Sequence, residues 1–258
     1  MLPLEIIGLA AVAAVAGVIN AVAGGGTLLT FPALLLFGTA PIVANATSTL
    51  ALVIGTAGSI FGFRQHFRSI WPWLVRFAFV SAAGGWLGSL LLTRTGDQAF
   101  VRLVPFLILF ATVLFLAQGP FRRFAGFAEN GGEPSVHHRR VWIAVVFHFG
   151  VSVYGGYFGA GIGILMLASL GFIGLTDIHQ INALKNALGS LINVVAAAWF
   201  VASGLIDWPK TGVMTIGALL GYFAGAHYSQ RIPQAATRRL ITAIGFTISA
   251  VMFYRQFR

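Results

Sequence analysis

Cysteine is absent from this chain of 258 residues, and aspartate and glutamate together number only six. Without cysteine the protein has no disulfide, no thiolate metal site and no cysteine nucleophile, and the redox compartment stays undetermined. Charged residues make up 9% of the chain, whereas a soluble domain carries about 25%. The scarcity of charge therefore excludes an ordinary soluble protein.

Apolar residues dominate what is present, at 58% of the chain with a mean hydropathy of +0.88. Apolar runs recur from Leu2 to Phe253, and no polar stretch between them is long enough for a separate soluble domain. The composition predicts a multi-pass protein of the lipid bilayer. The first run lacks a basic leading region and contains Glu5, so we expect a retained span and no cleaved signal peptide.

The net charge of +10 does not indicate a nucleic-acid-binding protein. Most basic residues fall between apolar runs, where lysine and arginine orient membrane segments. A nucleic-acid site would need basic residues clustered on a soluble surface, and the sequence has no such cluster. We therefore expect no nucleic-acid partner.

The two halves of the chain match each other at a shift of 137 residues, from Ala23 to Leu103 without a gap. Apolar composition alone would align leucine and alanine by chance, but not asparagine, Trp-Pro and glycine pairs in one register. The pairs include Asn45 with Asn182, Trp71-Pro72 with Trp208-Pro209, Gly84 with Gly221, and Gly88 with Gly225. The sequence predicts a repeat at 1–120, a connecting loop at 121–140 and a second repeat at 141–258.

Each repeat contains five apolar segments, which predicts an all-α polytopic membrane protein. Four segments per repeat approach the roughly 20 residues that span a bilayer, and the second is shorter and either re-entrant or broken from the first. The predicted segments are 2–23, 27–38, 42–63, 71–93 and 99–118, then 141–158, 163–175, 178–202, 209–229 and 236–254. We expect Trp71-Pro72 and Trp208-Pro209 to begin the fourth helix of each repeat.

The distribution of charge alone does not decide the relative orientation of the repeats. If all five segments cross, the repeats are inverted; if the short segment dips in and returns, they are parallel. Lysine and arginine counts in the loops favour neither topology. We favour inverted repeats, because this arrangement explains why broken helices occur at matching positions and predicts that the two breaks meet near the midplane.

Clusters of small residues interrupt the first apolar run of each repeat, at Ala23-Gly24-Gly25-Gly26 and at Ala160-Gly161-Ile162-Gly163. Glycine lets backbone amides approach a ligand, and the short helices that follow would point their positive N-terminal ends at it. The alternative is that the glycines only permit a tight turn. The first interpretation predicts an anion site at the breaks.

The third segment of each repeat carries polar residues along one helical face, namely Asn182, Lys185 and Asn186 in one repeat and Asn45, Ser48 and Thr49 in the other. Lys185 is the only lysine or arginine in either third segment. A buried lysine is costly in the hydrocarbon layer, so it either extends to a headgroup or meets a negative ligand. We favour an anionic ligand.

Other polar residues are weaker signals. Asn20 and Tyr157 precede the two breaks and could donate hydrogen bonds to a ligand. His148 and His227 lie within apolar segments, where a packing histidine is commoner than a proton carrier. No zinc, hydrolase or nucleotide-loop motif is found, so the sequence predicts no metal, no cofactor and no enzymatic activity.

At this point the chain resembles the TauE/SafE family of sulfite and organosulfonate exporters. The resemblance rests on Gly17-x-x-Asn20-x-x-Ala23-Gly24-Gly25-Gly26, Pro32, Ala44-Asn45-Ala46-Thr47-Ser48, Gly156-x-x-Gly159-x-Gly161-x-Gly163 and Asn182-Ala183. It implies transport of small sulfur-containing anions across the bacterial inner membrane without ATP. The second repeat departs from the pattern, with Ser169 at the position of Pro32 and Leu184-Lys185 where the family often has Thr-Ser.

The combined hypothesis is a secondary transporter that exports sulfite or a related anion, with the bilayer and the anion as its partners and a homodimer left open. An anion channel, an intramembrane enzyme acting on a lipid or sulfur compound, and a scaffold for a partner complex are the alternatives. The predicted binding residues are Asn20, Gly24, Gly25, Gly26, Asn45, Ser48, Thr49, Tyr157, Gly161, Gly163, Asn182, Lys185 and Asn186.

Overall fold

The computed structural model describes residues 1–22, 25–62, 67–124, 138–171, 178–228 and 234–256. Within these ranges the regular structure is helical, and the helices follow the predicted apolar segments closely. They are α1 (Pro3–Val22), α2 (Thr27–Leu36), α3 (Pro41–Gly62), α4 (Phe67–Thr95), α5 (Asp97–Phe124), α6 (His138–Tyr157), α7 (Ile162–Gly171), α8 (Ile178–Ala202), α9 (Trp208–Tyr228) and α10 (Gln234–Gln256).

The all-helical membrane class is confirmed, and the two short segments are short helices. Four of the eight predicted spans are long and apolar enough to cross a bilayer within the described residues, at Pro3–Ala21, Ile70–Thr95, Asp97–Leu114 and Gln180–Ala202. Large apolar side chains such as Phe79, Leu220 and Phe223 are exposed on the outside, as a lipid-facing surface requires.

One predicted helix start is right and its counterpart is wrong. Helix α9 begins at Trp208, immediately before Pro209, but α4 begins at Phe67 and contains Pro72. Proline is tolerated there because the position is near the helix start, where its missing N–H removes only one intrahelical bond. The Trp-Pro signal therefore locates the region of the start and not its residue.

The most extensive helix contacts join α1 to α9 and α4 to α6. Glycines on one helix lie against the backbone of the other, so that even a Cβ would overlap it, as close helix packing in membranes requires. Along the first pair the contacts are Gly217 with Ala10, Gly221 with Ala14 and Gly225 with Val18. Residue numbers rise together, so α1 and α9 run parallel.

The second pair has the same geometry. Gly84 of α4 lies against Ser152 of α6, and Gly88 lies one turn further along against Tyr157. Helices α4 and α6 are therefore also parallel. The glycines at 84, 88, 221 and 225 thus permit close helix packing in both pairs.

A charged cluster marks one end of the bundle. Lys210 Nζ lies 3.1 Å from Glu5 Oε1 and donates to Phe37 O (3.2 Å) and Thr39 Oγ1 (2.9 Å). Nearby, Asp97 Oδ1 accepts from Ile42 N (3.1 Å). These contacts join the N-terminal ends of α1, α3, α5 and α9 to the C-terminal end of α2.

Helix directions follow from these contacts. Helices α1, α3, α5 and α9 run away from the charged end, and α2 runs back toward it, since Gly26 lies beside Asn20 whereas Phe37 lies beside Gly8. Helix α4 ends at Thr95, next to the start of α5, so α4 and its parallel partner α6 both run toward this end. Helices α5 and α10 are antiparallel, because Thr112 meets Gly245 and Pro105 O accepts from Ser249.

Candidate anion site at the two helix breaks

The first break separates α1 from α2. Gly24 lies outside the described residues. Gly25 has φ 98°, a conformation that favours glycine, and a Cβ on Gly26 would come within 2.7 Å of Ala16 O. Backbone conformation at Gly25 and space at Gly26 therefore account for both glycines without a ligand.

The side chain of Asn20 bonds both to this break and to helix α9. Its Oδ1 accepts from Gly26 N at 2.6 Å, and its Nδ2 donates to the hydroxyl of Tyr222 on α9 at 2.9 Å. One of the two Nδ2 hydrogens of Asn20 and the amide hydrogen of Gly26 are thus used within the protein. The predicted role of Asn20 as a donor to a ligand stays a prediction.

The third helix of the same half also directs its hydroxyls to protein atoms. Ser48 Oγ lies 2.6 Å from Thr30 Oγ1 of α2, and both groups are fully buried. Thr49 Oγ1 donates to Asn45 O at 2.8 Å, one turn earlier in α3. In this half the polar face of α3 fastens α2 in place.

The second break lies between α6 and α7, at residues 158–161. Gly159 and Gly161 have φ values of 78° and 75°, so the chain turns twice through the left-handed region. Tyr154 OH donates to Ala160 O at 2.7 Å, which fastens the turn to the last helical turn of α6. As at the first break, the turn itself explains these two glycines.

The starts of α2 and α7 both have amides without an acceptor among the described residues, but Gly26 N donates to Asn20 Oδ1 whereas the matching Gly163 N is open. Ile162 N and Ile164 N donate within the turn, to Gly159 O and Gly161 O. For the N–H groups of Ala160, Gly161 and Gly163, no acceptor lies in the part of the chain that the structure describes. Free amides at a helix N-terminus carry partial positive charge and can bind an anion.

Among the described glycines of the two breaks, Gly163 is the one that neither conformation nor packing explains. Its φ is not in the left-handed region, and a Cβ there would meet only Lys185 Cδ, at an ordinary contact distance of 3.8 Å. The lysine side chain therefore passes beside the first turn of α7. Lys185 Nζ donates to Asn182 Oδ1 at 3.3 Å, so that the half-buried polar face of α8 lies next to the open amides.

Asn45 links the other half of the molecule to the second break. Its Nδ2 donates to Tyr157 O at 3.2 Å, and the Tyr157 hydroxyl lies 3.2 Å from Thr95 Oγ1 at the end of α4. The Tyr157 ring packs on Phe100 of α5, with centroids 5.9 Å apart. Tyr157 is thus held by three helices at the edge of the break.

The predicted binding residues therefore separate into two groups. Asn20, Gly25, Gly26 and Ser48 surround the first break, whereas Asn45, Tyr157, Gly161, Gly163, Asn182 and Lys185 surround the second. Thr49 turns its hydroxyl onto its own helix, and Asn186 is half-buried on α8 with no described contact to either break. In the described residues the two breaks are linked by an aromatic contact. The ring of Phe31 on α2 packs against the ring of Phe158, with centroids 5.5 Å apart.

Sequence reasoning missed Thr30, Tyr222 and Ala160. Thr30 lies one turn beyond the first break and could have been found by helical spacing. Tyr222 could not, because its counterpart at the repeat shift is Gly85 and its partner Asn20 is on a distant helix. Ala160 contributes only its backbone, which no side-chain pattern indicates.

His148 is a packing residue in this structure. It is fully buried, and its ring nitrogens lie 2.9 Å from Ser81 Oγ and 2.9 Å from Ser169 Oγ. Ser169 Oγ also lies 2.9 Å from Met166 O. Both ring nitrogens of His148 thus have a hydroxyl partner inside the protein.

Comparison with known proteins identifies the family. The family model described as sulfite exporter TauE/SafE matches residues 9–252. The chain belongs to the TauE/SafE family. That assignment agrees with the resemblance found in the glycine breaks and third segments.

Individual TauE/SafE relatives cover nearly the whole chain. A probable membrane transporter protein of Haemophilus influenzae is 30% identical over 94% of this chain and 92% of its own length. The probable membrane transporter protein YfcA of Escherichia coli K12 is 28% identical over 93% of this chain and 85% of its own. A probable transporter of a Sinorhizobium species is 26% identical over 91% and 87%. No solved structure matches the chain.

Proposed function

We propose that this TauE/SafE protein is a secondary transporter of the bacterial inner membrane that exports a small sulfur-containing anion, sulfite or an organosulfonate. Membership of the family supports the transport of an anion, and the family's description as sulfite exporters supports the substrate class and the direction. The apolar outer surface and the candidate spans support its place in a membrane.

The observation that carries the proposal is the open N-terminus of α7 beside Lys185. Three backbone amides there have no acceptor in the described ranges, and the lysine side chain lies against the same turn. A tetrahedral or pyramidal oxyanion fits this arrangement, because its oxygens accept several hydrogen bonds at once. Asn182, which holds Lys185 Nζ, orients the charge.

Helix directions support inverted repeats, which would allow alternating access. When each helix is replaced by the helix five places along, counting on from α10 to α1, the α1–α9 contact becomes the α6–α4 contact. The α3–α9 contact likewise becomes the α8–α4 contact, and all four contacts are extensive. Helix α1 runs away from the charged end and α6 toward it, and α5 and α10 are antiparallel. Two halves of opposite direction could rock around the central breaks and expose the anion to each side in turn.

Flux in proteoliposomes tests the proposal. Purified protein should give saturable uptake of radiolabelled sulfite that thiosulfate or an alkylsulfonate competes, and Lys185→Ser should reduce it at least tenfold. The matched control is Arg94→Ser, which removes one positive charge from an exposed position on α4 and should leave flux at the wild-type rate. Lack of saturable flux for all these anions with folded protein would reject the transporter. Flux unaffected by Lys185→Ser would reject the site.

Direction requires its own measurement. Cells that express the protein should lose a preloaded sulfite pool faster than cells that express Lys185→Ser. If expression instead speeds accumulation of external sulfite without faster loss, the protein is an importer.

A further inference from the structure

The carboxamide of Asn45 has an oxygen that the described protein does not use. Asn45 is 1% exposed, and its Nδ2 donates to Tyr157 O. Its Oδ1 is buried, and no donor for it lies within the described ranges. A buried acceptor without a donor costs about 1–3 kcal/mol, so such an atom calls for an occupant.

The same place holds the open carbonyl end of α6. Phe158 N and Gly159 N both donate to Tyr154 O, and the chain then turns through positive φ at Gly159 and Gly161. The carbonyls of residues 155–157 thereby lose the helical donors that a continued helix would supply. They form the negative end of the α6 dipole, and Tyr157 O is the one that Asn45 contacts.

A third element brings another oxygen near this turn. Asn193 Oδ1 of α8 lies 3.8 Å from the position that a Cβ on Gly159 would occupy. The oxygens from α3, α6 and α8 are all neutral, either carboxamide or backbone carbonyl. Partial negative charge repels an anion, and Ca²⁺ usually requires carboxylate ligands, whereas a dehydrated alkali cation suits neutral oxygens.

We propose that the C-terminal end of α6 and Asn45 Oδ1 bind a monovalent alkali cation, with sodium as the probe. The second break then has two chemically opposite sides, carbonyl oxygens on α6 for the cation and amides with Lys185 on α7 for the anion. In the proposed transporter the cation is the coupling ion; this last step rests on the proposed function, whereas cation binding does not.

Sodium binding is measured on detergent-purified protein without any sulfur anion. Wild-type protein should bind ²²Na⁺ saturably in equilibrium dialysis, and its melting temperature should rise with NaCl but not with choline chloride at equal ionic strength. Asn45→Ala should weaken the apparent sodium affinity at least tenfold. Asn45→Asp, which keeps an acceptor and adds negative charge, should retain or tighten it.

The control is Thr215→Val. Thr215 Oγ1 on α9 is the other buried side-chain N or O atom without a partner among the described residues. The variant therefore removes an unpaired buried oxygen from a different helix. Its sodium response should equal that of wild type. Size-exclusion profiles establish that each variant is folded.

Two results would overturn the proposal. If wild-type protein binds no ²²Na⁺ and melts equally in sodium and choline, Oδ1 accepts from a water molecule only. If Asn45→Ala keeps the wild-type sodium affinity, the cation lies elsewhere. Because no sulfur anion is present, neither result depends on whether the protein transports sulfite, and a failed flux assay leaves the sodium measurement intact.

Discussion

Both helix breaks turn the chain through left-handed glycine into a ten-residue helix, but their details and surroundings differ. Gly25 has a positive φ at the first break, and Gly159 and Gly161 have one at the second. At the first break Asn20 accepts from the leading amide of α2, and Ser48 is bonded to Thr30. At the second break Tyr157 and Lys185 occupy the positions that match Asn20 and Ser48, and the amide of Gly163, which matches that of Gly26, has no acceptor among the described residues.

The difference concerns one amide and one side chain in each half. A side-chain acceptor at the start of α2 satisfies the Gly26 amide, which then has no hydrogen left for a ligand. The matching tyrosine has no acceptor in that position, and its carbonyl is taken by Asn45. The groups of the proposed anion site, the Gly163 amide and Lys185, belong to the second half.

The largest expected effect comes from making the second break resemble the first. Lys185→Ser installs the residue that the first half carries at this position. Loss of a charged hydrogen-bond donor costs about 1.5–3 kcal/mol, so sulfite affinity should fall roughly tenfold to a hundredfold. Isothermal titration with sulfite measures it. If Ser48→Lys in the wild-type background gave a second sulfite site in the same titration, the proposed difference between the two breaks would be refuted.

Removing the Asn20 carboxamide at the first break should lower the stability of the protein and change its sulfite affinity little. Asn20→Ala leaves Gly26 N and Tyr222 OH without their partner, so the free energy of unfolding should fall by about 1–3 kcal/mol. Thermal unfolding in detergent measures this, with the milder Tyr222→Phe as the matched control. Sulfite affinity should stay within twofold of wild type. A stable Asn20→Ala protein that no longer binds sulfite would place the ligand at the first break instead.

Gly161→Ala tests whether the turn at the second break requires glycine. Because φ is 75° at this residue, alanine should destabilise the protein by about 1–2 kcal/mol. The melting temperature of the detergent-purified protein should drop accordingly. Unchanged melting would mean that the break relaxes to another turn.

The smallest expected effect comes from Gly163→Ala, which tests whether the ligand occupies the space beside this residue. Gly163→Ala should raise the free energy of unfolding by about 0.4–1 kcal/mol, since alanine favours helix and nothing in the described protein clashes with it. The same methyl group should weaken sulfite binding severalfold, because it enters the space beside Lys185. Equal sulfite affinity in wild type and Gly163→Ala would show that this space is not used by the ligand.

Local patterns in the sequence were sufficient for much of the fold. The length and apolar character of each segment predicted the helices, and the small-residue clusters at 23–26 and 160–163 predicted where they break. These features depend on the few residues around them, since helix formation and turn conformation are decided over one or two turns. The Trp71-Pro72 start failed because one proline near a helix end is too weak to set the boundary.

Only the tertiary structure decided which helices meet and how the matching amides of Gly26 and Gly163 are bonded. The pairing of α1 with α9 and of α4 with α6 crosses between the halves, and no segment records its partner in its own hydropathy. Likewise the state of the first break depends on Asn20 reaching both Gly26 and Tyr222, the latter 202 residues away. The sequence alone determined that two glycine breaks exist. Tertiary packing determined that the Gly26 amide is satisfied whereas the matching Gly163 amide has no acceptor among the described residues, because hydrogen-bond satisfaction depends on neighbours in space.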